Sequence, residues 1–258
     1  MKTIDHSGKS VVVTGAGGGI GRASAFAFAA CGAAVVVNDI DANTTAETVA
    51  LIADNGGDAT AAVMDITQPE KVEELVALAC DTYGKLDVMF NNAGGSFPTP
   101  MLDIELEEFE RLMALNFNAV YYGTRTALKV MLPQGGGCIL STTSGAGHGA
   151  VPGLAVYGCA KAAVNSLMRS VAAEYGREGI RAVTISPGAM ETPGLVSWLE
   201  TRPGGVKGYN DAQPQGRLGR PAEIADAATY LASEYASFIN GAVVPVDGGV
   251  QALLAMPQ

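Results

Sequence analysis

Apolar and polar positions along this chain follow two periods in alternation. "SVVVTG" (10–15) and "AAVVVND" (33–39) are short runs apolar at nearly every position, the pattern of parallel strands covered on both faces. Between and after them, apolar residues recur at helical spacing. A helix is expected over 20–31. Another lies in "ANTTAETVALIADNG" (42–56), with Asn43 or Thr44 as its cap and Gly56 as its stop. "DATAAVMD" (58–65) reads as a strand. "QPEKVEELVALACDTYG" (68–84) reads as a helix with Pro69 early and Gly84 at its end.

The alternation continues. "KLDVMFNNAG" (85–94) predicts a strand running into a loop, and 105–131 one long helix. "GGCILSTTS" (136–144) is the next strand, 155–176 a second long helix, and "IRAVTISPG" (180–188) a strand. "PAEIADAATYLAS" (221–233) is a last helix and "GAVVPVDGG" (241–249) a closing strand. Repeated βα units without a break in composition predict one α/β domain over 1–258, a doubly wound parallel sheet of about seven strands with helices on both faces. Residues 189–220, rich in Pro and Gly, are too long for a plain connection and are expected to form a lid.

Composition narrows the function classes. Of 258 residues, 48% are hydrophobic and 16% charged, the balance of a packed globular chain. A net charge of −10 argues against nucleic acid or anionic membrane as partner. The start "MKTIDHSGKS" has no apolar core of a secretory signal, and the apolar run 23–37 is too short for a bilayer. Four scattered cysteines without a CxxC pair suggest reduced thiols and a cytoplasmic location. Two histidines, His6 and His148, offer no metal cluster, so no metal is expected.

"TGAGGGIG" (14–21) falls between the first strand and first helix, where parallel α/β sheets bind nucleotides. Gly15, Gly19 and Gly21 let the backbone approach a pyrophosphate set against the helix N-terminus. Asp39, at the end of the second strand, is placed to accept the ribose hydroxyls of a dinucleotide and to repel a 2′-phosphate. Ile40, Gly17 and Gly18 supply no cation to reverse that preference, so the expected cofactor is NAD.

In "VYGCAKAAV" (156–164), Tyr157 and Lys161 stand four residues apart, one helical turn and about 6 Å along the axis. Bringing a phenol from its usual pKa to about 7 takes roughly 4 kcal/mol. A cation about 4 Å away supplies that much at an effective dielectric of about 20. The pair therefore reads as a general base with its activating charge.

These motifs together resemble the short-chain dehydrogenase/reductase family, in its single-domain branch. The resemblance rests on "TGAGGGIG", "NNAG" (91–94), Asn116 in "ALNFNAV", Ser144 in "LSTTS", "YGCAK" (157–161), "SPGAMET" (186–192) and the ending "GRLGRPAEIADAATYLAS…FINGAVVPVDGG". It implies a Rossmann-type fold and hydride transfer between NAD(H) and an alcohol or ketone. By the same carry-over, Ser144 would hydrogen-bond the substrate oxygen, and Asn116 would hold a water linking Lys161 to solvent. Lys161 would also hold the nicotinamide ribose. Gly17, Gly18 and Ile20 would complete the phosphate loop, Asp65 and Ile66 would flank the adenine, and Asn92, Ala93 and Gly94 would pass beneath the cofactor. Pro187, Gly188 and Thr192 would face the nicotinamide amide. The long helices, around 114–127 and 160–173, would pair copies into a dimer or tetramer. The tail "VQALLAMPQ" (250–258) would pack on a neighbour or fray.

The substrate pocket is expected at Phe97, Ser144, Val151, Leu154, Met190, Leu195, Val196 and Trp198, mostly apolar, which suits a neutral hydrophobic secondary alcohol. Alternatives are a 3-oxoacyl-thioester reductase and a non-catalytic NAD-binding sensor. A Ser–His hydrolase is set aside, because Ser144 lacks the GxSxG elbow.

Overall fold

The computed structural model describes residues 3–253. Seven strands form one parallel sheet: β1 (Ser10–Thr14), β2 (Ala34–Asp39), β3 (Asp58–Val63), β4 (Val88–Asn91), β5 (Gly137–Thr142), β6 (Ile180–Pro187) and β7 (Val243–Val246). Their spatial order is β3-β2-β1-β4-β5-β6-β7, and every pairing is parallel. The sheet is Rossmann-like, as expected.

The side chains of β1 show why its run is apolar throughout. Val11 and Val13 face one layer, with Phe28 of α1 (Gly19–Ala30) and Ile224 of α9 (Pro221–Ala232). Val12 faces the other layer, with Leu75 of α3 (Pro69–Tyr83), Met131 of α5 (Ala119–Gln134) and Met168 of α6 (Ala155–Tyr175). All three valines are fully buried. At about 1.5–3 kcal/mol for each such side chain, the two layers anchor the central strand. Chain connections leave β1 and β4 in opposite directions, so a crevice opens beyond their C-terminal ends.

Three local expectations are corrected. The cap of α2 (Ala42–Asp54) is Asp41, whose Oδ1 accepts from the Asn43 and Thr44 backbone N–H groups at 2.9 Å each. A carboxylate also suits the positive end of the helix better than Asn43 or Thr44. The long helix over 105–131 is instead α4 (Leu106–Met113), a wide π turn (Ala114–Asn118) and α5. The wide turn carries Asn116, and α5 runs on to Gln134 before Gly135, at φ 88°, stops it.

The 189–220 segment is not irregular throughout. It contains α7 (Pro193–Glu200) and α8 (Gly205–Asp211). Its root is pinned by backbone bonds from Glu191 N–H to the Gly219 carbonyl (2.7 Å) and from Gly219 N–H to the Ala189 carbonyl (2.9 Å). Of the tail, Val250–Ala252 forms a short 3-10 turn, and the expectation for 254–258 lies outside the described residues. Among the described residues no helix is long and apolar enough to cross a membrane.

Candidate active site

A cleft of about 1340 Å³ lies along the C-terminal ends of the strands. At one end the glycine loop leaves β1. Gly15 has φ +65°, and a Cβ there would come within 2.9 Å of the Ala93 Cα. The loop thus packs directly on the Asn92–Gly94 segment, as a backbone cradle requires. Thr14 fastens the two together: its hydroxyl oxygen accepts from the Asn92 and Ala93 N–H groups at 3.0 and 3.1 Å. Thr142 donates to the Asn92 side-chain oxygen at 3.0 Å.

Asp39 shares this end. Its carboxylate accepts from Gly17 N–H (2.9 Å) and Ile40 N–H (2.8 Å), which fixes it beside the loop. The nearby cation Arg22 pairs with Glu47 at 2.8 Å and donates to Thr48 at 3.0 Å, so its charge is compensated. Asp65 accepts from Thr67 N–H (2.9 Å) and the Thr67 hydroxyl (2.7 Å), and so also shapes the turn into α3.

At the other end stand Ser144, Tyr157 and Lys161. Ser144 lies two residues past β5, its hydroxyl oxygen accepting from Ala146 N–H at 3.2 Å. Lys161 is 1% exposed and donates to the Thr142 carbonyl at 3.0 Å. Burial pushes its pKa down to about 8. Its ammonium lies over the Tyr157 ring, 5.5 Å from the centroid. Burial pushes the Tyr157 phenol above its ordinary range, and a hydrogen bond from Ser144 works the other way. Burial therefore opposes the acidification expected from the neighbouring lysine. In this geometry the cation faces the ring, and desolvation of the phenolate dominates.

Asn116 is fully buried in the wide turn of the α4–α5 unit. Its Nδ2 donates to the Gly95 carbonyl (3.1 Å) and the Leu112 carbonyl (3.0 Å), while Oδ1 accepts from Gly95 N–H (2.9 Å). Both amide hydrogens are therefore taken, and the side chain acts as a clamp on the Gly94–Gly95 loop. A Cβ on Gly94 would lie 2.7 Å from Asn116 Oδ1 and 3.0 Å from Lys161 Nζ, so only glycine fits between them.

The cleft wall brings together most of the residues singled out from the sequence. Gly15, Gly18, Gly19, Ile20, Gly21, Asp39 and Ile40 line one end. Asp65, Ile66, Asn92, Ala93 and Gly94 follow, and Pro187, Gly188 and Thr192 lie toward the lid. Of the substrate-pocket set, Ser144, Val151, Leu154, Met190 and Leu195 are on the wall. Phe97, Trp198 and Val196 are not. Phe97 is 60% exposed, and the Trp198 ring instead stacks under the Arg202 guanidinium at 4.6 Å. Gly17 and Asn116 sit just behind the wall. His148, Tyr209, Arg111 and Gln251 line the cleft without having been singled out as site residues. His148 follows Ser144 by four residues, which was a usable signal; nothing local marks the other three. Among the described residues no group of three or more His, Cys, Asp or Glu could hold a metal.

Residues 15–251 match the family model described as enoyl-(acyl carrier protein) reductase. The 7α-hydroxysteroid dehydrogenase of Escherichia coli (strain K12) is 37% identical over 242 residues, 94% of each chain. The 2,5-dichloro-2,5-cyclohexadiene-1,4-diol dehydrogenase of Sphingobium indicum is 39% identical over 251 residues, 96% of this chain and 99% of that one. A solved structure of 7α-hydroxysteroid dehydrogenase, complexed with NADH and 7-oxo-glycochenodeoxycholic acid, superposes with a TM-score of 0.91 at 36% identity, covering 96% of this chain and 98% of that one. With the glycine cradle, Asp39 and the Ser144–Tyr157–Lys161 group in one cleft, the chain belongs to the short-chain dehydrogenase/reductase family and is an oxidoreductase.

Proposed function

We propose that the protein interconverts a neutral secondary alcohol and its ketone, using NAD(H), with Tyr157 as the proton-transfer group. The observation that carries this is the shared cleft: Asp39 and the glycine loop at one end, Ser144, Tyr157 and Lys161 at the other. The cradle fits a dinucleotide, since Gly15 leaves no room for a side chain and Asp39 is held in place by two backbone N–H groups. Bound NAD(H) would supply the hydride acceptor or donor. The relative solved with NADH supports the coenzyme choice, as does a carboxylate whose neighbouring cation Arg22 is paired with Glu47.

The chain's own residues handle the proton. In oxidation Tyr157 takes the hydroxyl proton of the alcohol while its carbinol hydrogen leaves as hydride; in reduction the phenol returns a proton to the carbonyl oxygen. Ser144 orients that oxygen and its hydrogen bond favours the phenolate. Lys161, charged below about pH 8, adds a cation over the ring. Residues 189–220 would serve as the lid, contributing Met190, Thr192, Leu195 and Tyr209 to the wall. Copies would pair through α5 and α6, which sizing in solution checks.

The test is Tyr157→Phe. Turnover of alcohols with NAD+ should fall by at least about a thousandfold while NADH still binds, as fluorescence titration would show. Retained turnover would remove the mechanism, and a strong preference for NADPH would instead favour the thioester-reductase reading.

A further inference from the structure

Tyr209 stands on α8 in the 189–220 segment, half-buried, and shares the cleft wall with Ser144 and Tyr157. Burial pushes its phenol above the ordinary tyrosine range, and a hydrogen bond from the Gln213 side chain, one turn on, draws it back. Gln213 Nε2 is also 3.5 Å from the Tyr209 backbone carbonyl, which keeps the two residues together. The phenol hydroxyl, on the cleft wall, retains its own proton for donation. Among the described residues, no acceptor for that proton is within hydrogen-bond reach.

The rest of the wall gives such a donor meaning. Val151, Leu154, Met190 and Leu195 can hold a carbon skeleton but cannot meet an oxygen. Arg111, also on the wall, is held by Glu108 through bonds of 2.6 and 2.8 Å. A neutral donor on a wall that carries these apolar side chains as well as His148, Thr192 and Gln251 selects for an uncharged acceptor oxygen, because a buried polar group left unpaired costs binding.

We propose that Tyr209 determines specificity, its hydroxyl donating to a second oxygen on a substrate whose reacting carbinol sits at Ser144 and Tyr157. The preferred substrates are then diols and hydroxyketones on a compact apolar skeleton, ahead of the corresponding simple alcohols. This rests on the reading of Ser144 and Tyr157 as the reacting centre.

Cyclohexanol and the 1,2-, 1,3- and 1,4-cyclohexanediols, oxidised with NAD+, test it. The wild type should show a kcat/KM at least about tenfold higher for one of the diols than for cyclohexanol. Tyr209→Phe should collapse that ratio toward one, mainly through KM, and Gln213→Leu should lower it part of the way. A wild type with no diol preference overturns the proposal, as does a ratio that Tyr209→Phe leaves intact. If the wild type binds NADH yet oxidises none of the four, the reacting centre itself has been misassigned and the proposal falls with it.

Discussion

The Lys161 ammonium lies 5.5 Å from the centroid of the Tyr157 ring and 3.0 Å from the Thr142 carbonyl oxygen. It is almost wholly removed from water and has no carboxylate partner among the described residues. A charge so placed costs the fold stability.

Replacing it should therefore stabilise the protein. The pKa of Lys161 falls from 10.5 to about 8 on burial, a penalty of about 3 kcal/mol against the charged form. Between about pH 8 and 10.5 the unfolded chain binds more protons at this position, so stability rises with pH through that window. Below it, the full penalty stands. Lys161→Met removes it but leaves the Thr142 carbonyl without its donor, a cost of about 1–2 kcal/mol. The variant should be inactive and yet more stable at pH 7 by about 1–2 kcal/mol, with the gain gone near pH 10. Urea unfolding at both pH values checks this; a loss of stability at pH 7 would mean the ammonium is well solvated where it sits.

Ser144 offers a kinetic reading of the same site. Its hydrogen bond opposes the burial that raises the Tyr157 phenol. Ser144→Ala should shift the limb of the oxidation pH profile that reports Tyr157 to higher pH, because phenolate then forms less readily. Hydrogen bonds to charged groups contribute about 1.5–3 kcal/mol, so kcat/KM at pH 7 should fall roughly 10- to 100-fold. A fall in rate with the limb unmoved would assign Ser144 to the substrate oxygen alone.

The architecture was readable because parallel strands such as Val11–Val13 are buried on both faces, and a short unbroken run of β-branched residues suits little besides such a strand. The glycine loop and the Tyr157–Lys161 pair were readable because their spacing is local. What escaped depends on contacts between distant segments. The wide turn at Asn116 leaves no mark in apolar periodicity, yet it sets the amide against Gly95, 21 residues away. Phe97 and Trp198 look like pocket residues by type, but only packing decides which way an aromatic on a loop or short helix turns. Tyr209 and Arg111 reach the cleft from α8 and α4, which no short motif announces.

Neighbouring glycines in the phosphate loop should respond differently to alanine. A Cβ on Gly17 would approach Asp39 Oδ2 to 2.8 Å and crowd the Thr44 hydroxyl, whereas one on Gly18 meets nothing within 4 Å. Gly17 N–H also holds the Asp39 carboxylate at 2.9 Å. Gly17→Ala should thus displace Asp39 and weaken NADH binding by about tenfold or more, while Gly18→Ala should change it little. Asp39→Asn should likewise lower NAD+ affinity and raise the NADP+ to NAD+ ratio of kcat/KM at least tenfold, since the repelling charge is gone. Fluorescence titration and paired coenzyme assays measure both effects. Equal losses in the two glycine variants would show that the loop, and not Asp39, governs coenzyme binding.

His6 gives the last prediction, far from the cleft. It is 2% exposed, 3.0 Å from the Thr229 carbonyl through Nε2, with its ring 5.2 Å from that of Phe28. Burial lowers its pKa from 6.5, and the bond to Thr229 opposes this only in part. A histidine depressed in the native state is bound more readily by protons when the chain unfolds. Its contribution is therefore fully present above about pH 6.5 and lost as pH falls toward its folded value. The slope from one such group is at most about 1.4 kcal/mol per pH unit. His6→Gln should cost stability at pH 7 through the altered contact with Thr229, yet lose less than the wild type between pH 7 and pH 5. Urea midpoints at the two pH values give the comparison, with carboxylates common to both proteins cancelling. Parallel pH dependence in wild type and variant would mean that His6 accepts its proton in the native state as easily as in the unfolded chain.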